Sequence, residues 1–442
     1  MTDTFDLVIR NGLVATPGGL IEASVGVRDG RIAGIGAIPA SAAGEVFDAA
    51  GLHVLPGVID AHVHFREPGL THKEDFETGS RAAVLGGVTA VFEMPNSDPA
   101  TTTAERLLHK LDLAKGRMAC DYAFYIGASS ENAGLLGELE RLPGCAGVKL
   151  FMGASTGSLL LADEDGLMRA LGSGRRRMAF HAEDEDRLQV RKALALSGRP
   201  ETHPVWRDAE CARLAVERLI RLARAARRPV HVLHVTTAQE MDIFAANRDI
   251  ATAEVTVNHL TLVAPDCYQR LGAYGQMNPP VREAAHRDAL WRAVANGLID
   301  VIGSDHAPHL RSEKDGVYPA TPSGMPGVQT LVPVMLDHVA AGRLTLQRFV
   351  DLTSAGPARV YGIASKGRIA QGYDADFTLV DLKAQRTISN ADIASKPGWT
   401  QFDGMSATGW PMATIVRGAV VMRDGEVQGA PSGKPVRFTE TL

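Results

Sequence analysis

From about residue 53 to residue 309 the chain alternates short apolar runs with longer amphipathic stretches. The runs are "HVLPGVIDAHVHF", "GVTAVFEMPN", "CDYAFYIGA", "CAGVKLFMG", "RMAFHAED", "PVHVLHVTT", "ATAEVTVNHLTL" and "LIDVIGSDHAPH". Most are continuous rather than alternating, as strands covered on both faces are. Between them, stretches such as "TGSRAAVLGG", "DAECARLAVERLIRLARAAR" and "EAAHRDALWRAVANG" carry helical spacing. Eight strand–helix units over about 300 residues predict a (β/α)8 TIM barrel, with a doubly wound open sheet as the alternative on pattern alone.

The two ends read differently. "DLVIRNGLVAT", "ASVGVRDGRIAGIG" and "EVFDAAG" are short strands broken by glycine turns, and "RDG" between apolar runs marks a hairpin. The same texture returns in "GRIAQGYDADFTLVDL" and "ATIVRGAVVMRDGEV". Chain ends often lie together, so these segments are expected to pair as one small sheet module.

Composition narrows the function classes. A net charge of −5 over 442 residues argues against nucleic acid as the main partner. The Arg-dense segment "RLIRLARAARRP" belongs to a helix with Val216, Leu219, Ile220 and Ala223 on one face and a solvated basic side. Cys120, Cys145, Cys211 and Cys267 form no CxxC pair, which points to reduced thiols. With no signal-like start and no long apolar run, a soluble cytoplasmic protein is expected, without a membrane partner.

The apolar runs share a property. On their C-terminal side they end in residues that bind metals or ionise: His62 and His64, then Lys149, His181, His234 and Asp305. In a barrel these strand ends converge on one face, where active sites sit. Imidazole nitrogens and a carboxylate suit Zn2+, and the absence of cysteine ligands points to catalysis. Lys149, between "GV" and "LFMG", is expected to be buried, which favours its neutral amine. Such an amine can add CO2 and become a carbamate able to bridge two metals; a lysine salt-bridged at the barrel mouth is the alternative. Two Zn2+ carry four positive charges, of which a carbamate, the Asp305 carboxylate and a bridging hydroxide remove three. The remaining charge draws an anionic substrate and polarises a carbonyl. His62 and His64 are expected to hold one metal with Asp305, and His181 and His234 the other. Asp305 then serves as general base and acid in a metal-assisted hydrolysis.

Together "PGVIDAHVHFREPG", "KEDFETGSRAAVLGGVTAVFEMPN", "GVKLFMG", "HAED", "LHVTT", "NPPVR" and "SDHAPH" resemble the amidohydrolase superfamily and, within it, the dihydroorotases. The resemblance spans nearly the whole chain. It implies a β-sandwich from residues 1–55 and 365–442 beside a barrel of residues 56–364. It also implies reversible cyclisation of N-carbamoyl-L-aspartate to L-dihydroorotate in pyrimidine synthesis, and a homo-oligomer such as a dimer. By position, His62, His64, Lys149, His181, His234 and Asp305 match the metal ligands of that family, and Arg66, Asn96, Asn278 and His309 its substrate-binding residues. Arg66 follows His64 by two, so its fork is expected on the same strand face, paired with a substrate carboxylate that Asn96 also binds. A surface salt bridge for Arg66, turn-forming roles for Asn96 and Asn278, and an ordinary loop position for His309 beside Pro308 are the alternatives.

Many relatives with this pattern carry aspartate in place of Lys149, while others, with allantoinases and hydantoinases, carry lysine; the bridging position does not settle the subtype. Relatives often have a second histidine where Asn258 stands, so His259 is assigned no metal role. "LRSEKDGVYPATPSGMPG" after His309 looks like a mouth loop. The nearest rival functions are allantoinase and hydantoinase or dihydropyrimidinase. A non-catalytic scaffold for an aspartate transcarbamoylase partner is the rival of another class.

Overall fold

The computed structural model describes residues 4–155 and 157–441. Eight parallel strands follow one another in chain order: β1 (Val58–Val63), β2 (Val88–Glu93), β3 (Asp121–Gly127), β4 (Cys145–Phe151), β5 (Met178–His181), β6 (Val230–Val232), β7 (Ala251–Thr256) and β8 (Val301–Gly303). The sheet closes where Val63 pairs in parallel with His306 and the His64 amide donates to the His306 carbonyl at 2.7 Å. Asp60 Oδ1 reinforces the seam by accepting from the Ser304 amide at 3.1 Å. The closed (β/α)8 barrel therefore replaces the open-sheet alternative.

The continuous apolar runs have a direct cause. Ile59, Ala61, Ala90, Phe92, Ala123, Tyr125, Ala146, Ala179 and Val301 fill the barrel interior, together with Val436 and Phe438 from the C-terminal segment. Val58, Val91, Phe124, Val148, Leu150, Phe180 and Val232 belong instead to the larger cluster that includes the surrounding helices. Helix Ala209–Ala226 shows how the helices dock. Asp208 caps it by accepting from the Cys211 amide, and Val216, Leu219, Ile220 and Ala223 turn inward. On its outer side Arg221 pairs with Glu164 and Arg224 with Asp249. Among the described residues no helix is long and apolar enough to cross a membrane.

The two ends of the chain do pair. Phe377–Thr387 lies antiparallel to His53–Pro56 within a seven-stranded sheet, which holds Leu13–Thr16 and Gly19–Glu22 at one edge and Ser406–Val416, Ala419–Arg423 and Glu426–Val427 on the other side. A four-stranded sheet of Phe5–Arg10, Ser24–Arg28, Arg31–Gly36 and Ala43–Asp48 faces it. Leu7, Ile9, Val25, Phe47, Val54, Phe377, Leu379 and Ile415 form the shared core. Both "RDG" turns are hairpins with positive φ at Asp29 and Gly30 and at Asp424 and Gly425, the backbone a two-residue turn requires.

Two of the sequence readings need correction. "HVLPGVIDAHVHF" is not one strand: it breaks at Gly57 into His53–Pro56 of the sandwich and β1 of the barrel. A side chain at Gly57 would lie 2.3 Å from Thr89 Oγ1 and 2.8 Å from Asp376 Cβ, so the two units meet there with no room to spare. "ATAEVTVNHLTL" ends as a strand at Thr256 and continues as helix Val257–Thr261, capped by Thr256 accepting from the His259 amide.

Candidate metal centre and active site

At the C-terminal ends of the strands a pocket is lined by His62, His64, Arg66, Asn96, Lys149, His181, His234, Asn278 and Asp305, along with Ser155, Ser323 and Gly324. Nine of the ten residues singled out from sequence thus meet in one place. The tenth, His309, lies directly behind Arg66.

Local backbone irregularities aim several of these side chains. Pairing of β3 with β4 runs Phe124 to Cys145, then Tyr125 to Gly147, so β4 carries one extra residue. Gly147, at φ 135°, takes the kink. Ala146 before it fills the interior while Val148 and Leu150 after it face the helices, which brings Lys149 inward. A similar extra residue in β1, between Asp60 and Val63, accompanies His62. Arg66, His234 and Asp305 all hold positive φ (64°, 37° and 47°). Left-handed backbone at a non-glycine residue costs about 1–3 kcal/mol and concentrates at functional sites.

The donor set fits metal ions. His62 Nδ1 is 2.7 Å from Glu254 Oε1, and His64 Nδ1 is 2.7 Å from Asn96 Oδ1. Both partners are acceptors, so each ring carries its proton on Nδ1 and turns an Nε2 lone pair inward. Those lone pairs meet the Asp305 carboxylate, with Oδ1 3.1 Å from His62 Nε2 and 3.2 Å from His64 Nε2. Three electron-pair donors facing one another call for a cation between them. Likewise His181 Nε2 is 2.9 Å from Glu183 Oε2, leaving its Nδ1 facing His234 Nε2 at 3.1 Å. Ligands of a tetrahedral zinc with bonds near 2.05 Å stand about 3.3 Å apart, close to all three separations. The two histidine pairs adjoin: the His62 and His234 rings are 5.3 Å apart.

The electrostatics agree. Burial alone would lower the pKa of His62, but Asp305 and Glu254 on either side raise it to about 9, so the gap between Nε2 and Asp305 favours a positive charge, which either a proton or a metal ion supplies. Burial lowers His64 to about 4 and also depresses His181 and His234. Lys149 is 1% exposed, packs over the Phe151 ring, and is lowered by burial to about 7, within reach of the neutral amine.

The substrate-side candidates occupy distinct positions. Arg66 is not on the strand face expected from its spacing, because β1 ends at Val63 and the chain turns through positive φ at Arg66. Its guanidinium nonetheless lines the pocket, 2% exposed, donating Nε to the Pro308 carbonyl at 3.3 Å. No carboxylate among the described residues forms an ion pair with it. Asn96 uses Oδ1 to orient His64. Asn278 accepts from His203 Nε2 at 3.0 Å and donates to Ser155 Oγ at 3.4 Å. His259 spends both ring nitrogens on Thr256 Oγ1 and the Pro279 carbonyl, outside the metal cluster. The loop after His309 packs over the mouth, where Lys314 Nζ donates to the Gln276 and Pro322 carbonyls. Gly324 at φ 143° permits its close approach, since a Cβ there would lie 2.4 Å from the Ala307 carbonyl oxygen.

Sequence reasoning missed Glu254, Glu183 and Arg207. Glu183 is pinned by Arg207, whose Nη2 is 2.5 Å from its Oε2, and Glu254 is fully buried on β7. An isolated glutamate in the apolar run "ATAEVTV" was the available signal for the second.

The amidohydrolase family profile matches residues 53–157 and 211–421. A dihydroorotase from Methanothermobacter thermautotrophicus is 37% identical over 96% of this chain and 95% of its own. An allantoinase from Rubrobacter xylanophilus is 36% identical over 98% of each. The solved L-hydantoinase (dihydropyrimidinase) from Arthrobacter aurescens superimposes with a TM-score of 0.92 at 30% identity, covering 98% of this chain and 100% of its own. The chain therefore belongs to the amidohydrolase family and is a cyclic-amide hydrolase.

Proposed function

We propose that the chain is a dihydroorotase, hydrolysing the ring amide of L-dihydroorotate reversibly to N-carbamoyl-L-aspartate. The single observation that carries this reading is Arg66: a buried guanidinium in the metal pocket with no carboxylate partner among the described residues. A buried cation without a counter-ion is costly, and beside a positively charged metal pair it is more so. A substrate carboxylate, as on dihydroorotate, supplies the missing anion bidentately. The neutral rings of allantoin and simple hydantoins do not.

His62, His64 and Asp305 would hold one Zn2+, His181 and His234 the other, with Lys149 as a carbamate between them. When bound, the ions polarise the ring carbonyl and activate water as nucleophile. Asp305 stays ionised at neutral pH: burial pushes its carboxyl up, but His62 and His64 hold it well below the usual range. It takes the proton of the attacking water and returns it to the leaving ring nitrogen. Arg66 and Asn278 fix the ring, while Asn96 keeps the His64 lone pair on target. All four cysteines are buried and unpaired, in keeping with a reducing cytoplasm. With all six ligand positions filled, a catalytically empty scaffold has no support.

A second reading, hydantoinase or allantoinase, draws on the likeness to those relatives. A side-by-side assay of the zinc-loaded protein with dihydroorotate, allantoin and hydantoin decides between them. The expected result is a clear kcat/KM preference for dihydroorotate; equal or faster opening of an uncharged ring overturns the proposal.

A further inference from the structure

Behind Arg66 the structure places a buried histidine and a lysine in a line. His309, 1% exposed, is flanked on one side by Lys73 and on the other by Arg66. Lys73 Nζ is 3.2 Å from His309 Nδ1, and Arg66 Nη2 is 3.2 Å from His309 Nε2. Glu313 Oε1, 2.7 Å from Lys73 Nζ, aims that ammonium. The Ser323 carbonyl, 3.1 Å from His309 Nε2, and Glu313 Oε2, 3.8 Å from Nδ1 and beyond hydrogen-bond reach, complete the group.

We propose that Lys73 is a positioning residue that sets the tautomer of His309 and so makes Arg66 and His309 a two-donor cradle for an anionic substituent. An ammonium only donates, so His309 Nδ1 must accept and its proton must reside on Nε2. That Nε2–H donates to the Ser323 carbonyl, itself only an acceptor. Nε2 then has no lone pair for Arg66 Nη2, and the two groups lie side by side as donors. A carboxylate that takes the place of the Ser323 carbonyl accepts from both at once. Burial and the nearby Arg66 and Lys73 charges hold the His309 pKa well below the usual histidine value, so the ring works as a neutral donor. Without Lys73 the ring is free to carry its proton on Nδ1 and turn a lone pair to Arg66. One donor to the substrate would then be lost and another tied up.

The tautomer follows from the contacts alone; its kinetic consequence rests on the dihydroorotate reading. The test uses zinc-loaded protein labelled with 15N-histidine, the His309 signals being identified by their loss in His309→Gln. In the parent protein the expected signature is a protonated Nε2 and an unprotonated Nδ1. Lys73→Met should shift it toward the Nδ1–H form, whereas Lys73→Arg, also only a donor, should retain it. With dihydroorotate, Lys73→Met should raise KM about tenfold with a much smaller change in kcat, and Lys73→Arg should restore KM to within about twofold. A parent His309 protonated on Nδ1, an unchanged tautomer in Lys73→Met, or an unchanged KM would each overturn the proposal. If the parent protein does not turn over dihydroorotate, the proposed function fails, and the nitrogen spectra still decide the role of Lys73.

Discussion

Glu254 Oε1 lies 2.7 Å from His62 Nδ1, and both side chains are withdrawn from solvent, at 0% and 1% exposure. The glutamate comes from β7 and the histidine from β1, so the bond crosses the barrel beneath the pocket. It fixes which nitrogen of His62 is protonated, and thereby which one faces Asp305. The same oxygen is 3.3 Å from the His234 amide, so one carboxylate braces residues of both histidine pairs.

Glu254→Ala should therefore weaken metal binding without removing a ligand. Loss of such an outer carboxylate typically costs about 10–100-fold in metal affinity. Competitive chelator titration of the purified variant measures this directly. Affinity within twofold of the parent would mean that His62 holds its orientation by packing alone.

Arg66→Met separates recognition from metal chemistry. The side chain touches Pro308 and His309 but no metal-ligand atom, so metal content should be unchanged. Turnover of dihydroorotate should fall by about 100-fold or more in kcat/KM, the cost of two charge-assisted hydrogen bonds. Metal analysis and steady-state kinetics on one preparation suffice, and full activity in this variant would remove the carboxylate clamp from the account.

Lys366 ties the barrel to the sandwich. Its Nζ is 2.7 Å from Asp121 on β3, 2.5 Å from Asp376 and 3.2 Å from Asp374. Arg417, itself partly exposed, also pairs with Asp121, whereas Lys366 and its three carboxylates are buried. Lys366→Met strands buried carboxylates, which costs about 3–5 kcal/mol when one partner of a buried pair is removed. The denaturant midpoint should drop accordingly. Asp376→Asn in the same chain should recover part of the loss, because it removes one uncompensated charge. A double variant no more stable than Lys366→Met would argue that the cost is lost packing.

What could be read from the residues follows from what repeats in a barrel. Continuous apolar runs reflect burial on both faces, and polar residues at their ends face one common site, so the convergence of His62, Lys149, His181, His234 and Asp305 on one pocket was legible in the sequence. The break at Gly57 was not, because it depends on Thr89 and Asp376, both distant in sequence. Nor was the position of Arg66, since spacing along a strand says nothing once the strand has ended and φ turns positive. Glu254 and Lys73 act through contacts between strands and loops far apart in the chain, and neither sits at the end of an apolar run. Helix Val257–Thr261 departs from the apolar-run reading for another reason: Val257 and Thr261 favour strand locally, and the Thr256 cap decides otherwise.

The lowered pKa of Lys149 makes a pH-dependent prediction. Burial brings it from an ordinary lysine value to about 7, with Asp305 and Glu254 opposing the shift. Its neutral, CO2-reactive amine is therefore the minor form below pH 7 and the major form above it. Bicarbonate-dependent zinc uptake by metal-stripped protein should accordingly rise with pH through about 7 and level off above it. An exposed lysine, at about 10.4, would still be climbing at pH 9. Lys149→Ala should abolish the bicarbonate dependence and lose tight binding of at least one ion, measured as metal per chain after dialysis. Two ions retained in that variant, or uptake indifferent to bicarbonate in the parent, would exclude the carbamate and return Lys149 to a charge-balancing role beside Asp305.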